Sequence, residues 1–151
     1  MGGITPQEKI WRIETGMREN FKVSDGVSSN VIDEEKLHVD VTNLLTWLCF
    51  TPNYSGYNYV REAVKLAVAQ EDKMPGISKG IYPVIAKQSG TTVAAVESGM
   101  RTAIRRAWHR SDPGSKLEIF GTYALNERWV PTNSEFVFVL ADKLRCNAIS
   151  D

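Results

Sequence analysis

A chain of 151 residues, 42% of them apolar, with 18 basic and 18 acidic side chains and no net charge, is long enough for one domain with a substantial core. No apolar run approaches the ~20 residues needed to span a bilayer, and the N-terminus carries acids early and has no signal-peptide pattern, so a membrane protein and a secreted protein are not expected. Cys49 and Cys146 stand far apart and neither belongs to a CxxC pair, which argues against a disulfide framework or a zinc site and fits a reducing cytoplasm.

Helix signals run along most of the chain. Thr5-Pro6-Gln7-Glu8 is a capping box with proline at the first helical position. Behind it Ile10, Ile13 and Met17, with Phe21 as an optional fourth, keep a helical spacing that predicts an amphipathic helix to about Asn20. "KVSDGVSSN" (Lys22–Asn30) then reads as a linker. A second helix is expected from about His38 to Phe50, broken by "TPNYSG" (Thr51–Gly56). In the next segment Tyr57, Val60, Val64, Ala67 and Val68 form one apolar stripe, and "KMPG" (Lys73–Gly76) closes that helix.

"ISKGIYPVIAKQSG" (Ile77–Gly90) predicts a short helix with Ile81, Val84 and Ile85 inward and Ala86 beside them. Pro83 is tolerable there only near the helix start. Gly90 suits a left-handed C-cap. Thr92 caps the following helix, whose inner stripe is Val96, Met100, Ala103, Ile104, Ala107 and Trp108. An interior Gly99 costs ~1 kcal/mol relative to alanine; a close crossing with the preceding helix would rationalise it. "EFVFVLAD" (Glu135–Asp142) has the composition of a strand, but Thr132 and Glu135 make a capping box before it and predict a helix. The fold class is therefore all-α, a compact bundle of six to seven helices.

The charge is unevenly distributed. Residues 1–40 carry −3, residues 41–76 none, residues 77–110 carry +5 and residues 111–151 carry −2. Local basicity of this kind is the footprint of a phosphate-binding face, the plain alternative being a solvated helix surface. Two helices joined by a short glycine-containing turn, the second amphipathic and basic, form the helix-turn-helix pattern. The face opposite the core stripe holds Ala94, Ala95, Ser98, Arg101, Thr102 and Arg105. Small residues permit close approach to base edges, Arg101 can fork onto a guanine, and Arg105, Arg106 and Arg110 stand where phosphates are met.

Four blocks follow one another in order: "GYNYVREAVKLAV", "ISKGIYPVIAKQSGTTVAAVESGMRTAIRRAW", "FG" at Phe120-Gly121 and "PTNSEFVFVLADKLR". Over about Leu37–Arg145 the chain resembles the C-terminal DNA-binding effector domain of the sporulation response regulator, stage zero protein A. The resemblance implies a six-helix domain with a helix-turn-helix that binds duplex DNA at elements of the type TGTCGAA. It also implies tandem binding of two copies and contact with the sigma subunit of RNA polymerase. Residues 37–151 are the expected effector domain, and residues 1–36 an extension whose helix packs on the domain, pairs two copies or frays. Those 36 residues are too few for the core of a receiver domain, so aspartyl phosphorylation within this chain is not expected.

The expected DNA-binding residues are Lys87, Thr92, Ala94, Ala95, Glu97, Ser98, Arg101, Thr102, Arg105, Arg106 and Arg110. Glu97 and Arg101 match family positions at the DNA interface. Ser98 stands where the family has an arginine, and Arg105 and Arg106 replace an acid and an apolar residue, so similar docking with altered sequence choice is expected. His38 and His109 have no cysteine or carboxylate at metal-ligand spacing, and no nucleophile elbow, phosphate loop or dinucleotide fingerprint occurs. No cofactor and no enzymatic activity are expected. Two classes remain: a cytoplasmic, sequence-specific DNA-binding regulator, or a degenerate relative that acts as a protein-interaction module toward a sigma factor, a related regulator or itself.

Overall fold

The computed structural model describes residues 33–52, 54–70 and 76–150, so the helix expected at Thr5–Asn20, the Lys22–Asn30 linker and most of "KMPG" lie outside the described residues. The described residues form six α-helices: α1 (Glu34–Trp47), α2 (Ser55–Gln70), α3 (Tyr82–Ser89), α4 (Val93–Arg110), α5 (Pro113–Phe120) and α6 (Asn133–Ser150). No strand occurs among them, and the all-α expectation holds. None of these helices is long and apolar enough to cross a membrane.

Helix α1 begins four residues before the expected start at about His38. The Asp33 side chain accepts from Lys36 N at 3.1 Å, and Glu34 and Glu35 complement the positive end of the helix dipole. The helix also ends earlier than expected. Cys49 adopts φ +64°, its N–H bonds Thr46 O, and Phe50 N–H reaches back to Leu45 O. This pair of bonds is a left-handed helix stop usually made by glycine, here carried by a cysteine. Ser111 Oγ lies 2.8 Å from Leu48 O and 2.7 Å from Ala107 O, so its proton is shared between the ends of α1 and α4.

Helix α2 is central. Its expected stripe, Tyr57, Val60, Val64, Ala67 and Val68, is buried throughout, with Ala63 added. It packs chiefly against α4 and α6. The crossing with α4 is backbone on backbone: a Cβ built on Gly56 would stand 2.2 Å from Gly99 O and 3.0 Å from Ala103 Cβ. Gly99 thus answers a close crossing, but with α2 and not with the preceding helix: its nearest neighbours are Tyr59 and Gly56.

The segment expected as one short helix is divided. Ile77–Ile81 forms a single wide turn, with Tyr82 N–H bonded to Ile77 O, and α3 follows with Pro83 in its first turn. Widening the turn before a proline removes the clash of its ring with the carbonyl four residues back. Ile81, Ile85 and Ala86 are buried as expected, whereas Val84 is half-buried and Tyr82 takes an inward position instead.

Phe136, on α6, joins Phe50 to the aromatic cluster centred on Phe120 and Trp129. Its ring centroid lies 5.4 Å from Phe50 and 5.6 Å from Phe120, and Phe120 is 5.0 Å from Trp108. The capping box at the start of α6 is reciprocal: Thr132 N donates to Glu135 Oε1 at 2.9 Å, and Glu135 N to Thr132 Oγ1 at 3.1 Å. At the far end of α2, Arg145 donates to Ala67 O at 3.1 Å.

Gly56→Ala must push two backbones apart, and a loss of about 3 kcal/mol is expected. Gly99→Ala meets the Tyr59 ring at 3.1 Å and Gly56 Cα at an ordinary 3.7 Å, and it gains helix propensity, so it should stay within about 1 kcal/mol of wild type. Urea unfolding of both variants checks this; equal losses would contradict a backbone-limited crossing.

Candidate nucleic-acid interface

Three residues connect α3 to α4, and each has a distinct task. Gly90 takes φ +65°, with its N–H directed at Lys87 O, and Thr91 N–H bonds Ala86 O at 2.9 Å, closing α3. Thr92 is extended and its hydroxyl accepts from Ala95 N at 3.0 Å, which opens α4. The turn is therefore specified on both sides by local hydrogen bonds.

All six residues expected on the inner stripe of α4 are buried, Val96 and Met100 completely. Ala94, Ala95, Ser98, Arg101, Thr102 and Arg105 are all exposed, so the structure brings these sequence-predicted positions onto one solvent-facing surface. Lys87 is exposed in the last turn of α3, close to the connecting turn. Thr92 is engaged as a cap through its oxygen and keeps its own hydroxyl proton. Glu97 pairs with Arg101 at 3.3 Å, with both side chains about half exposed. Such a pair on a helix surface contributes only ~0.3–0.5 kcal/mol, so Arg101 is released to a stronger acceptor at little cost.

Arg106 and Arg110 leave this face. They turn toward the α1–α2 junction, where the Arg106 guanidinium lies 4.7 Å above the Tyr54 ring. His109 is exposed in the last turn of α4.

One anchor had no signal in the sequence. Asn133 Nδ2 donates to Tyr82 Oη at 2.9 Å and to Glu97 O at 3.0 Å, tying the first residue of α6 to both α3 and α4. The Tyr82 phenol titrates above its ordinary value, chiefly because it is buried, with Glu97 adding to the effect and the Asn133 bond and Arg101 opposing it. His38, on α1, is shifted the other way by burial and by the neighbouring Arg61 and Lys65, whose Nζ lies 3.3 Å from its Nδ1. Among the described residues no group of histidine, cysteine and carboxylate side chains is arranged to hold a metal.

An all-α domain presenting a basic helix, buried along one side and bare along the other, is compatible with the class of DNA-binding regulatory domains. The chain matches the family model described as "Sporulation initiation factor Spo0A C terminal" over residues 41–144, and it belongs to that family, whose members are DNA-binding transcription regulators of sporulation.

Asn133→Ala should cost about 2 kcal/mol, because it strips partners from buried polar atoms, and Tyr82→Phe should cost less because the Glu97 carbonyl keeps its donor. Burial favours the neutral phenol, so the Tyr82 contribution is complete below pH ~10 and is lost as pH climbs through its raised folded value. Denaturant midpoints measured between neutral and strongly alkaline pH should fall more steeply for wild type than for Tyr82→Phe.

Proposed function

We propose that the chain is a cytoplasmic, sequence-specific transcription regulator that docks on duplex DNA with α3 and α4 as a helix-turn-helix. Residues 37–151 are its effector domain. The observation that carries this reading is the division of α4 into a wholly apolar buried stripe and an exposed face, small at Ala94 and Ala95 and basic at Arg101 and Arg105. An 18-residue helix is ~27 Å long, whereas the major groove is ~12 Å wide. Its N-terminal half therefore enters the groove, and its C-terminal half leaves it at the phosphates. Ala94, Ala95, Ser98, Arg101 and Thr102 face base edges, with Glu97 orienting Arg101. Lys87, Thr92, Arg105, Arg106 and Arg110 meet the backbone and set the register. Two copies on adjacent elements and a contact with the sigma subunit complete the reading.

A second reading, a protein-interaction module, is favoured by Ser98 in place of a family arginine and by the exposure of Tyr123 and Leu125, which are 70% and 67% accessible. The charge of residues 77–110 weighs against it, because a purely protein-binding helix has no use for an excess of cations facing solvent.

Fluorescence anisotropy on a TGTCGAA duplex and on a scrambled duplex separates the two. A preference of about tenfold or more is expected, and Arg101→Ala should abolish it, since one bidentate guanine contact contributes ~1–3 kcal/mol of discrimination. Equal affinity for both duplexes would remove the sequence-specific part of the reading. Absence of binding at moderate salt would leave the protein-interaction reading.

A further inference from the structure

We infer that Arg106, Arg110 and Tyr54 form a second phosphate contact on the flank of α4, gripping the sugar-phosphate backbone of duplex DNA outside the groove. The inference rests on the DNA-binding reading above, which already sets Arg106 and Arg110 against the backbone, and adds to it the cleft that holds them and Tyr54 as the residue that positions Arg106. A shallow cleft lies where the C-terminal half of α4 meets the α1–α2 junction, lined by Cys49, Thr51, Tyr54, Arg106 and Arg110. No acidic residue lines it. Ala103 and Ala107 form its α4 wall, and their small side chains leave room between the two arginines and the loop.

The two cations of the cleft differ from Arg101. Arg101 has the Glu97 carboxylate beside it, whereas among the described residues no carboxylate lies within ion-pair distance of Arg106 or Arg110. Arg106 is nevertheless held: its guanidinium carbon lies 4.7 Å over the Tyr54 ring, which is itself 37% exposed. A cation–π contact occupies no hydrogen-bond acceptor, so the N–H donors of the guanidinium stay available to phosphate oxygens. A long side chain held this way has lost part of its rotamer freedom before any ligand arrives, which lowers the cost of binding. Helix α2 begins at Ser55, next to Tyr54, with no acid in its first turn, so the positive end of its dipole adds to the potential.

Arg106 and Arg110 stand one helical turn apart on the same side of α4, and the side they share is turned away from the centre of the outward face by roughly a quarter turn. A duplex lying against Ala94 and Arg101 therefore brings one backbone strand past this flank. Tyr54 is a positioning residue: it acts through Arg106 and touches no base.

The test is the salt dependence of affinity for two duplexes of unrelated sequence, measured for wild type, Arg106→Ala, Tyr54→Ala, Tyr54→Phe and the Tyr54→Ala/Arg106→Ala double variant. Arg106→Ala should make the log–log salt slope about 0.9 less steep on both duplexes alike, the loss of one phosphate contact. Tyr54→Ala should weaken binding about two- to fivefold, and Tyr54→Phe, which keeps the ring, should restore it. The double variant should bind no more weakly than Arg106→Ala alone. Both side chains are at the surface, so thermal unfolding of every variant should match wild type. An unchanged slope in Arg106→Ala, or a Tyr54→Ala loss of the same size with and without Arg106, would overturn the inference while leaving the DNA-binding reading intact. A wild-type chain with no salt-dependent affinity for either duplex would overturn both.

Discussion

The contact on which the arrangement depends is the one between Gly56 and Gly99. A Cβ on Gly56 would stand 2.2 Å from the Gly99 carbonyl oxygen, so α2 and α4 meet with no side chain between them. That closeness fixes where the exposed face of α4 lies relative to the rest of the bundle. The glycine in the middle of α4 weakens the helix locally, and the loss is offset by dense packing of Val60, Met100 and Ala103 around the crossing. A long helix with an interior glycine is here a rigid element because its neighbour holds it.

Short-range hydrogen bonds then set the ends of that helix. Gly90 and Thr92 fix its start, Ser111 joins its end to Leu48, and Asn133 links its second turn to α3 and α6. These links involve different elements and are spread along α4, so no single loop determines its direction. The aromatic cluster around Phe120 fills the space between α4, α5 and α6, where Trp108 and Phe120 meet at an interplanar angle of 80°. The edge-to-face arrangement suits ring quadrupoles and leaves little freedom for the helices to slide.

How much of this was legible in the sequence depends on distance along the chain. The caps at Thr92 and at Thr132–Glu135, the stop at Gly90 and the six buried residues of α4 are local patterns, and each appears in the structure where the residues implied. The start of α1 was misplaced because its first turn, Glu34 to Leu37, opens on the Asp33 cap and two acids and holds a single apolar residue, the buried Leu37. Tyr82 was passed over as an inward residue although Ile81, Tyr82, Ile85 and Ala86 share one helical face, because a phenol beside Pro83 gives no plain apolar signal. Gly99 was legible as an anomaly but not its partner, which lies 43 residues earlier at Gly56. Asn133 bonding Tyr82 and Glu97, and Arg106 lying over Tyr54, are likewise long-range pairings of residues that look ordinary alone.

The bareness of the outer side of α4 has a consequence for how such a domain changes over time. Ala94, Ala95, Ser98, Thr102 and Arg105 are all exposed, and the hydrogen bonds that orient the helix come from its backbone, its cap and its inner side. Surface substitutions away from caps and cores usually alter stability by less than about 0.5 kcal/mol. Those positions can therefore drift, one replacement at a time, while the bundle beneath them stays folded. Ser98 and Arg105 sit on that permissive surface, whereas Gly56, Gly99 and Asn133 do not. The exposed face and the architecture are set by separate groups of residues, and the first group can be rewritten without the second.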